Sequence, residues 1–144
     1  MLTNQLIIAL FQRFCWLDEG LQARLHERGW PDVNRPQSMV MTNIVSGIVR
    51  PSDIARNLGI SRQAIHRTLS QMIDLGIVTL EPDPDDRRHM VVSLTETGKR
   101  MRQDAQQAMD ALSEQIAGAL GQDRFENMLA ALEADWGSNV ANGG

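Results

Sequence analysis

The chain of 144 residues has one cysteine, no tyrosine and no long apolar run. Cys15 alone excludes an internal disulfide and a cysteine-rich zinc site. The longest apolar run, Leu6 to Phe11, is stopped by Gln12 and Arg13. It is far below the roughly 20 residues that a membrane-spanning helix needs. No basic segment precedes it, so it does not read as a secretory signal. A cytoplasmic protein without a membrane partner is the expectation. His26, His66 and His89 fall on three different expected elements, which gives no metal cluster. There is no nucleophile elbow, phosphate-binding glycine loop or supported carboxylate pair. Neither an enzyme nor a cofactor is expected.

Acids are missing from one stretch in particular. The formal net charge is −4, yet residues 56–72 carry Arg56, Arg62, His66 and Arg67 and no acid. Residues 101–144 carry seven acids against Arg102 and Arg124. A basic face on an acidic chain matters for the surface field more than the net value does.

Hydrophobic spacing then supplies the elements. Leu6, Leu10, Phe14, Leu17, Leu21 and Leu25 recur at three and four residues, which predicts one helix from Leu2 to Arg28, ended by Gly29 and Pro31. Pro36 suits the first turn of a second helix running to about Val45. Pro51 starts a third, Ser52 to Leu58. Gly59 ends it in the left-handed conformation, and Ser61 caps a fourth helix, Arg62 to about Leu75. Ile65, Leu69, Met72 and Ile73 form the apolar face of that helix. "IVTL" and "MVVSL" read as strands, with Met90, Val92 and Leu94 on one side. The connection "EPDPDDRRH" makes a long polar hairpin tip. Thr95 caps a fifth helix from Glu96, broken at Gly121. Asp123 caps a last helix that carries Phe125, Met128, Leu129, Leu132 and Trp136. "SNVANGG" reads as a frayed tail.

Two short helices joined by a tight glycine turn and followed by a hairpin describe a winged helix-turn-helix. Ala55 is small where the helices cross, Gly59 lies in the turn, and Ile65 packs back onto the first helix of the pair. The fold class is therefore mainly α with a small β-hairpin wing. On the fourth helix, Ser61, Arg62, Gln63, His66, Arg67 and Ser70 fall away from the apolar face. Arg and Gln suit bidentate contacts to base edges, and serines reach phosphates. In the tip, Asp86 stands two residues before Arg88 and is placed to hold its guanidinium, with Arg87 beside it. A solvated turn and an ordinary polar helix face are the plainer readings of the same residues.

These segments carry a resemblance. "DDRRHMVVSLTETG" is similar to the wing pattern of the MarR family of transcriptional regulators, D-x-R followed by a strand and L-T-x-x-G. Asp86, Arg88, Leu94, Thr95 and Gly98 stand at the matching positions. "DIARNLGIS" and "QMIDLGIV" resemble the family's helix-turn-helix and pre-wing segments, and the likeness covers nearly the whole chain. It implies a homodimer built by the first and last helices, a fourth helix in the major groove of double-stranded DNA, and Arg88 in the minor groove. Two departures stand out. Leu80-Glu81 follows "LGIV" where the family is usually basic, and His89 stands where a small residue is usual.

The expected organisation is an N-terminal dimerisation helix in 1–34, a DNA-binding lobe in 35–98 and C-terminal dimerisation helices in 99–144, as one structural domain. The expected function is a ligand-responsive repressor acting on a pseudo-palindromic operator. Phe11, Cys15, Trp16 and Trp30 read as core or interface residues, and alternatively as the lining of a small-molecule effector pocket. A protein-binding winged helix without DNA binding stays open. So does a thiol-based redox sensor of the same fold. Cys15 itself reads more simply as a small apolar residue beside Phe14.

Overall fold

Caps and glycines divide residues 4–139, the part of the chain that the computed structural model describes, into six helices and one hairpin. The expected helix start at Leu2 and the last five residues of the expected tail lie outside that range. The order is α1 (Gln5–Glu27), α2 (Arg35–Val45), α3 (Pro51–Leu58), α4 (Arg62–Asp74), β1 (Val78–Pro82), β2 (Met90–Leu94), α5 (Glu96–Leu120) and α6 (Gln122–Glu133).

Local chemistry sets these boundaries. Asn34 opens α2 through a reciprocal capping box. Its side chain accepts the N–H of Gln37, and Gln37 Oε1 accepts the N–H of Asn34. Two otherwise unpartnered backbone donors are satisfied in this way. Gly59 ends α3 at φ +67°, a conformation that side chains with a Cβ resist. Two residues later Ser61 Oγ accepts the N–H of Ala64 at 3.0 Å and starts α4. The expectation for Asp123 needs correction. Gly121, at φ +89°, is the capping residue of α6 and offers no side chain. Its carbonyl accepts from Phe125 N, so the helix begins before Asp123. Asp123 lies inside the first turn, where its charge faces the positive end of the helix dipole.

Internal contacts divide the chain between Met109 and Asp110. In the first unit α2, α3, α4 and the base of the hairpin surround one core. Val40, Ile54, Ile65, Leu69, Met72, Ile77 and Val78 are its most enclosed members, and Leu25 and Met101 join it from α1 and α5. Ala55 is buried at the α3 crossing, as its size suggests. Two residues on the expected apolar faces are not enclosed. Ile73 is 39% exposed, because residues 65, 68, 69 and 72 complete the inward face and Thr68 takes the fourth place. Met90 is 45% exposed, because it pairs with Pro82 where the hairpin leaves the lobe, while Val92, opposite Leu80, is buried.

Among the described residues of α1, the apolar stripe is fully buried only at its last position. Leu25 is buried, whereas Leu6, Ile7 and Phe11 are 62%, 70% and 62% exposed. In the second unit, the apolar side chains Met128, Leu129 and Leu132 of α6 are exposed. Trp136 Nε1 donates to Ala131 O at 2.7 Å and closes the end of that helix.

The joint between the wing and α5 rests on Thr95. Its N–H donates to Ile77 O at 3.1 Å, its hydroxyl donates to Gly76 O at 2.6 Å, and the same oxygen accepts from Gly98 N at 3.0 Å. One side chain therefore caps α5 and ties it to the start of β1.

Candidate nucleic-acid interface

The inward face of α4 decides what its outward face presents. Ile65, Thr68, Leu69 and Met72 are buried, so Ser61, Arg62, Gln63, His66, Arg67 and Ser70 are all left exposed. All six expected recognition-helix residues thus lie on the solvent side of one rigid, capped helix.

The wing is a two-stranded antiparallel ribbon with Val78 opposite Leu94 and Pro82 opposite Met90. Its tip is folded on itself. Asp83 N donates to His89 O at 2.8 Å, Asp86 N to Asp83 O at 3.2 Å, and His89 N to Asp86 O at 3.0 Å. Asp86 then grips Arg88 through both oxygens. Nε meets Oδ1 and Nη2 meets Oδ2, each at 2.9 Å. The Arg88 side chain is still 85% exposed. This fork-to-fork pair limits the rotamers of an arginine that stays available to a partner. The Arg88 guanidinium, followed by its backbone N–H, holds the Asp86 carboxyl below the usual carboxylate range. Arg87 is exposed. His89 lies with Nε2 3.7 Å from Asp86 Oδ2, beside the pair.

Helix and wing share an opening. A cleft of about 400 Å³ is lined by Arg62 and His66 of α4, Arg88 and His89 of the tip, and Arg50 and Arg56 at the two ends of α3. Ser52 and the apolar Ile60, Ile65 and Met90 are also in its wall, and no carboxylate is. Three of these guanidiniums meet a carboxylate just outside the lining, Arg50 with Asp83, Arg56 with Asp53 and Arg88 with Asp86, so the opening is rich in hydrogen-bond donors more than in net positive charge. Ser61, Gln63, Arg67, Ser70, Asp86 and Arg87 stand outside the lining. Glu81, the acid in the pre-wing segment, is exposed on β1 and accepts from Thr79 Oγ1 at 3.2 Å and Ser93 Oγ at 3.4 Å.

Arg50 is the cleft residue that the sequence pattern passes over. It sits in "SGIVRPSD", which reads as a turn, and no periodicity marks it. The proline after it is the only local signal, because it makes Arg50 the capping position of α3.

The aromatic and thiol candidates lie elsewhere. Phe11 is exposed, and Cys15 and Trp16 are half-buried. Trp30 packs against the core and donates from Nε1 to Asp104 Oδ2 at 2.7 Å, where Arg28 also donates. A separate cavity of about 390 Å³ opens among α1, α2 and α5, with Leu21, Leu25, Met41, Val45, Met101 and Met109 as apolar walls. Ser38, Thr42, Arg102 and Gln106 are among its polar lining. Phe11, Cys15, Trp16 and Trp30 do not line it. The part of the α1 stripe that reaches it is Leu21 and Leu25, which sequence spacing assigned to the same face without distinguishing core from cavity. Among the described residues no group of His, Cys, Asp and Glu is arranged to hold a metal ion. No helix among them is long and apolar enough to cross a membrane.

Comparison with known proteins bears on the fold of the lobe. Residues 32–89, from the approach to α2 through the wing tip, match the MarR family. An uncharacterised protein of Mycobacterium tuberculosis is 28% identical over 88 residues, covering 56% of this chain and 62% of that protein. The alignment thus spans less than two thirds of the length of that curated relative. Among solved structures, the apo form of wild-type MarR from Escherichia coli superposes with a TM-score of 0.67 at 23% identity, over 90% of this chain and 93% of that one. CouR from Rhodococcus jostii RHA1, solved bound to p-coumaroyl-CoA, gives 0.68 at 20% identity, over 92% of both chains.

Proposed function

We propose that this chain, which carries a MarR-family lobe within the winged-helix fold of the MarR transcriptional regulators, is a sequence-specific DNA-binding repressor. It acts as a homodimer on a pseudo-palindromic operator and responds to a small-molecule effector. The observation that carries the reading is the cleft in which Arg62 and His66 of α4 stand beside Arg88 of the wing, whose side chain stays 85% exposed in its pair with Asp86. A capped helix with an exposed polar face fits the major groove, where Arg62, Gln63 and Arg67 meet base edges and Ser61 and Ser70 meet phosphates. The forked Arg88 suits the negative potential of a narrow minor groove next to it.

The uncovered apolar residues Leu6, Ile7 and Phe11 of α1 and Met128, Leu129 and Leu132 of α6 support a dimer. A solvated monomer would leave this surface in water. Two-fold symmetry then sets the half-sites about one helical turn apart. The cavity among α1, α2 and α5 supports an effector with an apolar body. CouR with its p-coumaroyl-CoA is one instance of this fold holding a small organic molecule. A ligand wedged there would shift the population of spacings between the two recognition helices.

Selection of bound duplexes from a randomised pool, followed by a salt titration, tests the reading. The expected result is an enriched inverted repeat whose affinity falls steeply as salt rises, through counterion release. Failure to enrich any duplex at low salt would leave a protein-binding module as the better account.

A further inference from the structure

The tip of the wing is anchored by a contact outside the Asp86–Arg88 pair. Arg50, immediately before α3, directs Nε and Nη2 to the same oxygen, Asp83 Oδ2, at 3.2 and 2.8 Å. Asp83 is 8% exposed. Its other oxygen accepts from Asp85 N at 2.9 Å. Its backbone is committed as well, donating to His89 O and accepting from Asp86 N. Asp86 in turn grips Arg88. A continuous series of hydrogen bonds therefore runs from the base of the helix-turn-helix to the groove-reading arginine. A second tie lies next to it, where Val92 N donates to Val49 O at 2.8 Å and sets β2 against the segment before Arg50.

This bracing answers a physical need. A lone two-stranded hairpin is marginal in water, and the Val92–Val49 bond holds only the middle of β2, below the tip that carries Arg88. The Asp85 N–H and the Arg50 guanidinium, in that order, hold the Asp83 carboxyl below the usual range. The brace is therefore charged at every pH near neutrality.

We propose that Arg50 and Asp83 are positioning residues that set the aim of Arg88 toward the minor groove, an inference that rests on the DNA-binding reading above. It assigns opposite signs to two effects that are otherwise confounded. Asp83→Asn keeps the volume and an oxygen for the Asp85 N–H but removes the charge that engages Arg50. Simple electrostatics makes this variant bind DNA more tightly, because an acid near phosphate is lost. Bracing makes it bind more weakly.

The experiment uses the operator selected with the wild-type chain and compares wild type, Asp83→Asn, Arg88→Ala and the double variant. Asp83→Asn is expected to raise the operator Kd on the order of five-fold. In the Arg88→Ala background the same change is expected to matter by less than about two-fold, since the residue it aims is gone. Arg50→Met provides a second variant, with the same non-additivity against Arg88→Ala, should Asp83→Asn fold poorly. Nitrogen-15 relaxation of residues 84–89 in the free protein is expected to show a looser tip in both variants while α3 and α4 stay rigid. Equal or tighter binding by Asp83→Asn, or a loss that persists in full without Arg88, overturns the proposal. A wild-type chain that selects no duplex overturns the DNA-binding reading itself and this inference with it, and is distinguished by failing before any variant is compared.

Discussion

Gly98→Ala probes the joint on which the wing and α5 depend. A Cβ at residue 98 would lie 2.1 Å from Ile77 O, 3.1 Å from Ile77 C and 3.4 Å from Ile77 Cα. Carbon and oxygen settle at about 3.3 Å or more, so the first turn of α5 must retreat by roughly 1 Å. The atoms in the way are backbone at the start of β1, and no rotamer change relieves them. Retreat also stretches the Thr95 bonds to Gly76 O and Ile77 O. Overpacking of this kind costs about 1–3 kcal/mol, and a rigid obstacle places it at or above the upper end. Alanine returns about 1 kcal/mol of helix propensity. The net expectation is a loss of roughly 2 kcal/mol. Gly118→Ala, on the same helix, is the matched control. Its Cβ meets nothing within 4 Å, so it should gain up to about 1 kcal/mol. Thermal midpoints of the two variants should therefore differ on the order of 5–10 °C for a chain of this size. Urea and thermal unfolding at one fixed protein concentration measure this, since association shifts midpoints by mass action. A Gly98→Ala protein as stable as wild type, or a pair of variants that move together, would falsify the packing argument.

Three other predictions follow from the same geometry. Arg88→Ala should weaken operator binding by about 1–3 kcal/mol and Arg87→Ala by less, because only Arg88 is held in the Asp86 fork; equal losses in a fluorescence titration would remove the distinction. Asn34→Ala should lower unfolding free energy by about 1 kcal/mol in urea melts, through loss of the capping box at α2, and an unchanged midpoint would count against it. Asp83 and Asp86 have folded pKa values below the ordinary carboxylate value of about 3.9. Their contribution is therefore complete above that value and is lost as pH falls through the depressed values. The carboxyl carbon-13 resonances of Asp83 and Asp86 should show their protonation step only below about pH 4; a carboxyl protonation step between pH 7 and 5 would contradict the assignment.

Much of the lobe was legible because its signals are local. Gly59, Ser61 and Thr95 act on backbone groups within four residues, or at the chain's next turn, and each does what its type and position suggest. The same holds for the Asp86–Arg88 fork, whose partners are two residues apart. Asp123 failed as a cap because the conformation of Gly121 moved the helix start by two residues. Ile73 and Met90 share an apolar face with buried residues and still stay exposed, because periodicity assigns a face but not where that face stops being covered. The cavity among α1, α2 and α5 was likewise invisible, since Leu21 and Leu25 have the same spacing whether they meet a side chain or a void.

By itself the sequence determined the order of elements, the outward polar face of α4 and the forked arginine, because caps, turns and periodicity are short-range properties of the chain. Tertiary structure alone decided that Arg50 reaches Asp83 across 33 residues, and that Arg50, Arg56, Arg62 and Arg88 line one opening. It also decided that Gly98 passes too close to Ile77 O for a side chain. Those contacts join residues with no common period or motif, and they exist only once α3, α4 and the hairpin have packed on a shared core.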